Sequence, residues 1–177
     1  NWLNNPVEAI QGKDNGTFNP NYRMVLLEEL AKHKFGFLAF SLPGYYPSTG
    51  SPSEANFHKA CDAFADYTIK HAKELNLTDR DILVSGESLG GAAAAIFATK
   101  LTRKGFPPIV LSLITTFDSL ITMTQERFPI FTHEELDKIL KEKLDTVKTL
   151  GTLAKRKTSL HIMAAEGDTV IPKRATE

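Results

Sequence analysis

Cysteine is all but missing from this chain. Cys61 is the only one among 177 residues, so no disulfide can close within the chain, and nothing demands an oxidising compartment. Phe57, Phe64 and Tyr67 recur around it at helical spacing, so Cys61 reads as a small buried residue. No apolar run reaches the roughly 18 residues a helix needs to span a bilayer, which excludes a helical membrane span. An excess of either charge is missing too, since 21 Lys and Arg balance 21 Asp and Glu. A balanced total creates no long-range field to gather nucleic acid or an anionic lipid surface. The short Lys155-Arg156-Lys157 reads as the solvated end of a helix. No close metal-ligand spacing, Walker loop or dinucleotide fingerprint occurs, so neither metal nor cofactor is expected. The chain has no initiating Met and no signal-like start. With the lone cysteine this points to the cytoplasm, and part of the natural N-terminus is expected to precede Asn1.

What is present is ordinary for one packed domain over residues 1–177: 42% apolar and 24% charged residues. Strand-like and helix-like segments alternate. Residues 6–11 suit a short strand, followed by a polar stretch over 12–19. Pro20 opens a helix to about Lys34 with Met24, Leu27, Leu30 and Ala31 on one face. Residues 35–40 are almost wholly apolar and predict a strand buried on both faces. In Ser51-Pro52-Ser53-Glu54, Ser51 suits an N-cap, Pro52 the first helical position and Glu54 the closure of a capping box. The helix that follows should turn Phe57, Cys61, Phe64, Thr68, His71 and Leu75 inward. Further strands are expected over 81–85, 109–114 and 159–165. Helices are expected over 89–104, ending at Gly105, and from a Thr132 cap to about Leu150. This alternation implies an α/β fold, a mostly parallel sheet with helices on both faces. In such sheets the chemistry gathers at the carboxyl ends of the strands.

At one such end stands Gly86-Glu87-Ser88-Leu89-Gly90, a Gly-x-Ser-x-Gly motif between an apolar strand and a helix. That context forces the serine into a strained turn and needs small neighbours where the chain approaches itself. Gly91 and the run from Ala92 to Ala95 would let the helix lie close beneath the sheet. A glycine-rich strand-to-helix turn with an incidental serine is the plainer alternative.

Three more stretches join the Ser88 motif in chain order. They are Gly44-Tyr45-Tyr46-Pro47-Ser48-Thr49-Gly50-Ser51-Pro52-Ser53-Glu54, Phe117-Asp118-Ser119-Leu120, and Gly167-Asp168-Thr169-Val170-Ile171-Pro172. Together they resemble the α/β-hydrolase superfamily, near its prolyl-oligopeptidase-like and dienelactone-hydrolase-like branches, over residues 22–175. The resemblance implies a serine hydrolase acting on an acyl substrate, with Ser88 as nucleophile and Asp168 as the acid that orients a histidine. Asp118, after the preceding strand, is the second candidate acid. It implies an oxyanion hole of two backbone amides, one from Leu89 and one from Lys13. Gln11-Gly12-Lys13 then stands where the family has His-Gly-Asn, and it reads equally well as an ordinary polar loop. A short cap-like insertion is expected around residues 118–135.

The family order is Ser, acid, His, yet no histidine follows Asp168. His33 suits a helix C-terminus, His58 and His71 the helix after Ser51, and His161 a buried position in the last strand. His133, in the cap-like region, is the one alternative base. The fold is therefore expected to be incomplete at both ends, with the catalytic histidine beyond Glu177. Two other functions stay open: an inactive binding module on the same fold, and an acyltransferase. Neither substrate nor oligomeric state can be read from the sequence.

Overall fold

The computed structural model describes residues 22–153, 158–168 and 170–171. The chain forms two compact units, Asn1–Ala39 and Phe40–Glu177. The segments 6–11 and 12–19, Pro20 and Lys155-Arg156-Lys157 lie outside the described residues.

In the first unit, α1 spans Tyr22–Lys32. It closes at Lys34, where φ is 63° and the Phe35 amide reaches back to the Leu30 carbonyl at 2.9 Å, a left-handed helix ending. Leu27 and Leu30 are half-buried and Ala31 is exposed. The strand predicted over residues 35–40 does not form: they take no regular structure, and Phe35, Phe37 and Leu38 are exposed. An apolar run becomes a strand only where a neighbour takes its amides and carbonyls. Among the described residues no such neighbour exists.

The second unit begins with Phe40, whose ring lies 4.1 Å from that of Phe64. Helix α2 spans Glu54–Glu74 and is capped by Ser53, not Ser51. The Ser53 hydroxyl accepts the Asn56 amide, while the Ser51 carbonyl takes the Asn56 side-chain amide at 3.0 Å. Its buried stripe is Phe57, Cys61, Ala65, Thr68 and Ala72. His71 and Leu75, predicted inward, are half-buried and exposed respectively, because the 3.6-residue period hands their places to the alanines. After a 3₁₀ turn at Asp79–Asp81, strand β1 (Leu83–Glu87) leads into α3 (Leu89–Arg103). Gly105, at φ 78°, ends α3 as its position after the helix predicted, with the Phe106 amide on the Leu101 carbonyl at 2.9 Å. Strand β2 (Val110–Ile114), α4 (Leu120–Arg127), α5 (His133–Ile139), α6 (Thr146–Gly151) and β3 (Ser159–Met163) complete the unit.

The sheet is parallel, in the order β1-β2-β3. Val84 stands beside Leu111 and Leu160, and Glu87 beside Ile114 and Met163. The α/β class and the parallel pairing thus match the alternation in the sequence, with three strands among the described residues. Among the described residues α3 is the helix that packs on the strands, against β1 and β2. It is buried nearly all round, with α2 and α6 on its flanks. Among the described residues no helix lies over β3, and all five of its residues are exposed. His161 is among them, which corrects its reading as a core residue.

The long helix predicted from Thr132 to Leu150 is two helices. Thr132 and Glu135 form the expected capping box, but the chain leaves α5 after Ile139 and restarts at an Asp145 cap. The cause is Glu54, whose carboxylate takes the amides of Lys143 and Leu144 at 2.9 and 3.1 Å. Those amides are thereby withdrawn from an i→i−4 ladder, and Leu144 adopts φ 40°. No helix among the described residues is long and apolar enough to cross a membrane.

Two measurements follow from this packing. Glu54→Ala removes an ionised acceptor of two amides, so urea unfolding should show a loss of about 2–3 kcal/mol. The Cys61 thiol is buried, and burial pushes its pKa from 9.0 up to about 12. The folded state therefore holds its proton more tightly than the unfolded chain, so stability falls as pH rises through that window. Relative to Cys61→Ala, the unsubstituted chain should lose about 1.4 kcal/mol per pH unit above roughly pH 9. A thiol reagent should label it only after unfolding.

Candidate functional site

A helix begins with amides that have no acceptor within it, and a side chain usually supplies one. In the second unit Ser53, Ser119, Thr132 and Asp145 do this for α2, α4, α5 and α6 from extended backbone, at 2.7–3.3 Å. Ser88, at the same position before α3, does not. Its backbone sits at φ 54°, ψ −125°, and its hydroxyl makes no cap bond. Among the described residues that hydroxyl has no partner.

The main chain of Ser88 is held firmly in this strained conformation. Its amide donates to the Ile114 carbonyl at 2.9 Å, extending the β1–β2 ladder by one rung. Its carbonyl accepts the Gly91 amide at 2.9 Å and the Thr116 hydroxyl at 2.7 Å. A methyl group on Gly86 would stand 2.1 Å from the Gly90 carbonyl oxygen, and one on Gly91 would stand 2.5 Å from Thr116. A methyl on Gly90 would meet nothing within 4 Å. Of the two motif glycines, only Gly86 is therefore demanded by space. The Leu89 amide is the first of α3 and has no acceptor within the helix. It lies at the positive end of the helix dipole. Lys13, the other predicted donor, lies outside the described residues.

Because the strands are parallel and Glu87, Ile114 and Met163 are in register, three chain segments leave the same edge of the sheet. They are Ser88, the loop holding Asp118, and the loop holding Asp168. Asp168 is half-buried, and its Oδ1 accepts the amides of Val170 and Ile171 at 2.7 and 2.9 Å. Its Oδ2 has no partner among the described residues. Arg127 ties the end of α4 to this turn through the Val170 carbonyl at 3.2 Å. Asp118 Oδ1 accepts the Ser119 amide, and its carbonyl holds the Thr146 amide at 2.7 Å.

No histidine hydrogen-bonds to Ser88, Asp118 or Asp168. His133 opens α5 and, with His58, lines a cavity of about 510 Å³ whose wall includes neither Ser88 nor Asp168. His71 stacks on Tyr67 with ring centres 3.9 Å apart, and His161 is in the middle of β3. Two features escaped the sequence reading. The Thr116 hydroxyl buttresses Ser88 from 28 residues away, and the cations around the cavity are scattered between α3 and α6. Neither is marked by a local motif.

No family model matches the chain, and no solved structure matches it. It is similar to uncharacterized protein F37A4.1 of Caenorhabditis elegans, 31% identical over 111 residues. That stretch is 62% of this chain and 21% of the worm protein, so the match spans about a fifth of the relative's length.

The packing at the turn makes a contrast that can be measured. Gly86→Ala forces a methyl into backbone and should cost about 2–4 kcal/mol in thermal or urea unfolding. Gly90→Ala enters open space in a helix and should change stability by no more than about 1 kcal/mol.

Proposed function

We propose that this chain carries the nucleophile of a serine hydrolase of the α/β-hydrolase type, with Ser88 attacking the carbonyl carbon of an ester, thioester or amide. The observation that carries this reading is the Ser88 hydroxyl. It stands at a helix start, on a strained φ of 54°, and caps nothing, while four other helix starts in the unit are capped. A structural serine would relax to extended backbone and take an amide. Strain maintained by three hydrogen bonds, with the hydroxyl left free, is the economy of a reactive group.

In the proposed reaction Ser88 Oγ bonds to the acyl carbon as its proton passes to a base. The carbonyl oxygen becomes an oxyanion that accepts from the Leu89 amide, Lys13 being the second donor that the family resemblance implies. Collapse expels the alcohol, thiol or amine with a proton, and water then repeats the sequence to release the acid. Asp168, with one carboxylate oxygen fixed by its turn and the other free, suits the orientation of an imidazolium. Asp118 remains the alternative acid. The base is the unfilled role, since none of the five histidines bonds to Ser88 or either acid. A binding module on the same fold is favoured by that gap alone.

Loss of one triad member typically leaves a rate about 10⁴–10⁶-fold below the intact enzyme. The 177-residue chain should therefore turn over a short-chain p-nitrophenyl ester very slowly, and free imidazole should raise the rate. A fluorophosphonate probe should label Ser88 slowly, faster with imidazole, and not at all in Ser88→Ala. Labelling that survives in Ser88→Ala, or none even with imidazole, removes Ser88 as the nucleophile. Fast hydrolysis lost in His133→Ala would make His133 the base.

A further inference from the structure

The cavity of about 510 Å³ lies against the outer half of α3, within the second unit, and Ser88 takes no part in its wall. Its volume is that of a small-molecule site, but its lining is unusually cationic. Arg103 from α3, Lys141 from the α5–α6 connection and Lys148 from α6 all line it. None of the three has an acidic partner among the described residues. The three carboxylates in the wall are already engaged. Glu54 holds the amides of Lys143 and Leu144, Asp145 caps α6, and Asp137 holds the Lys143 ammonium at 2.6 Å. With Lys100 and Lys143, which pair with Asp62 and Asp137, the wall sets five cationic side chains against three carboxylates, an excess of positive charge.

A second observation lies beside the cavity. A recess of about 10 Å³ shares Glu54, His58 and Thr149 with the cavity and is bounded by Thr146. The Thr146 hydroxyl is fully buried and has no hydrogen-bond partner, although buried hydroxyls are almost always bonded. Something small and polar is wanted there, an oxygen of a ligand or a water bridging to one. His58, on the shared wall, has its pKa lowered by burial and then by Lys100, against a raising effect of Glu54, and its ring offers an N–H to a ligand.

We infer that this cavity is a second site, separate from Ser88, that binds a small molecule bearing a phosphoryl group. Arg103, Lys141 and Lys148 take its anionic oxygens, and His58 stands on the polar wall shared with the recess at Thr146. An Arg fork with two ammonium groups suits the several oxygens of a phosphate or diphosphate better than a single carboxylate.

Titration calorimetry of the 177-residue chain with inorganic pyrophosphate, at ionic strength fixed with sodium chloride, tests the inference. One saturable site is expected. It should weaken at least tenfold in Arg103→Ala/Lys148→Ala and measurably in Thr146→Val. It should be unchanged in Lys73→Ala, which alters an exposed lysine of α2 outside the cavity. Absence of saturable binding, equal binding by the double variant, or tighter binding of citrate than of pyrophosphate would overturn it. Should the double variant fail to fold, the His58 ring resonances of the unsubstituted chain decide. Pyrophosphate must shift them while those of His71 and His161 stay in place; no shift at His58 refutes the site. Because none of these readouts involves Ser88, they stand or fall apart from the hydrolase reading.

Discussion

Between the end of β1 and the start of α3 there is no room for a methyl group. The Gly90 carbonyl oxygen stands 2.1 Å from where a side chain on Gly86 would begin, and Thr116 crowds Gly91 at 2.5 Å. A chain turning this tightly from strand to helix places its pivot residue in a conformation that L residues avoid. Ser88 is that pivot, and the hydrogen bonds to Ile114, Gly91 and Thr116 keep it there. The same closeness explains Gly91 and the run from Ala92 to Ala95 in the first turns of α3: short side chains let the helix axis lie near the strands. Once α3 is that close, α2 and α6 can pack on its flanks, and every loop at the carboxyl edge of the sheet inherits its position.

The parts of this arrangement written in local sequence were legible. The motif at Ser88 sits between the expected strand and helix, Gly105 ends α3, and β1, β2 and β3 fall within two residues of the predicted runs. Each depends on a period or a turn signal spanning only a few residues. What failed depended on distant partners. Helical periodicity continues from Thr132 to Leu150, but a carboxylate nearly 90 residues earlier claims two amides in the middle and splits it. Ser51 and Ser53 are chemically equal caps, and the choice between them is made by the Asn56 side chain binding Ser51. His161 follows a strand pattern correctly, yet a pattern cannot say whether a helix will lie over it.

That last point has a wider bearing on the sheet. A parallel strand is normally covered on both faces, and β3 alternates polar Ser159 and His161 with apolar Leu160 and Ile162 before ending on Met163. Leu160 and Ile162 share the face of Val84 and Leu113, while Met163 shares that of Ile114. All three are exposed. Helix α3 reaches only β1 and β2, so the apolar character of β3 expresses a demand for cover that the described residues do not meet.

The turn at Ser88 and the cationic cavity share one helix, and its length separates them. At about 1.5 Å per residue, Ile96 stands roughly 12 Å and Arg103 roughly 22 Å along the axis from Ser88. A ligand held along the wall from Ile96 to Arg103 does not reach an acyl group at Ser88, although Ala92, on the wall of the recess, stands only roughly 6 Å along the axis from it. Nor can exposed charges couple strongly over such a span, because screening at physiological salt acts within about 8 Å. Only movement of α3 as a rigid body could connect them. Such a movement would act on the turn at Gly91, whose amide donates to the Ser88 carbonyl, and at the Thr116 hydroxyl bonded to the same oxygen. The packing that creates the turn is therefore also the contact through which any displacement of α3 would be felt at Ser88.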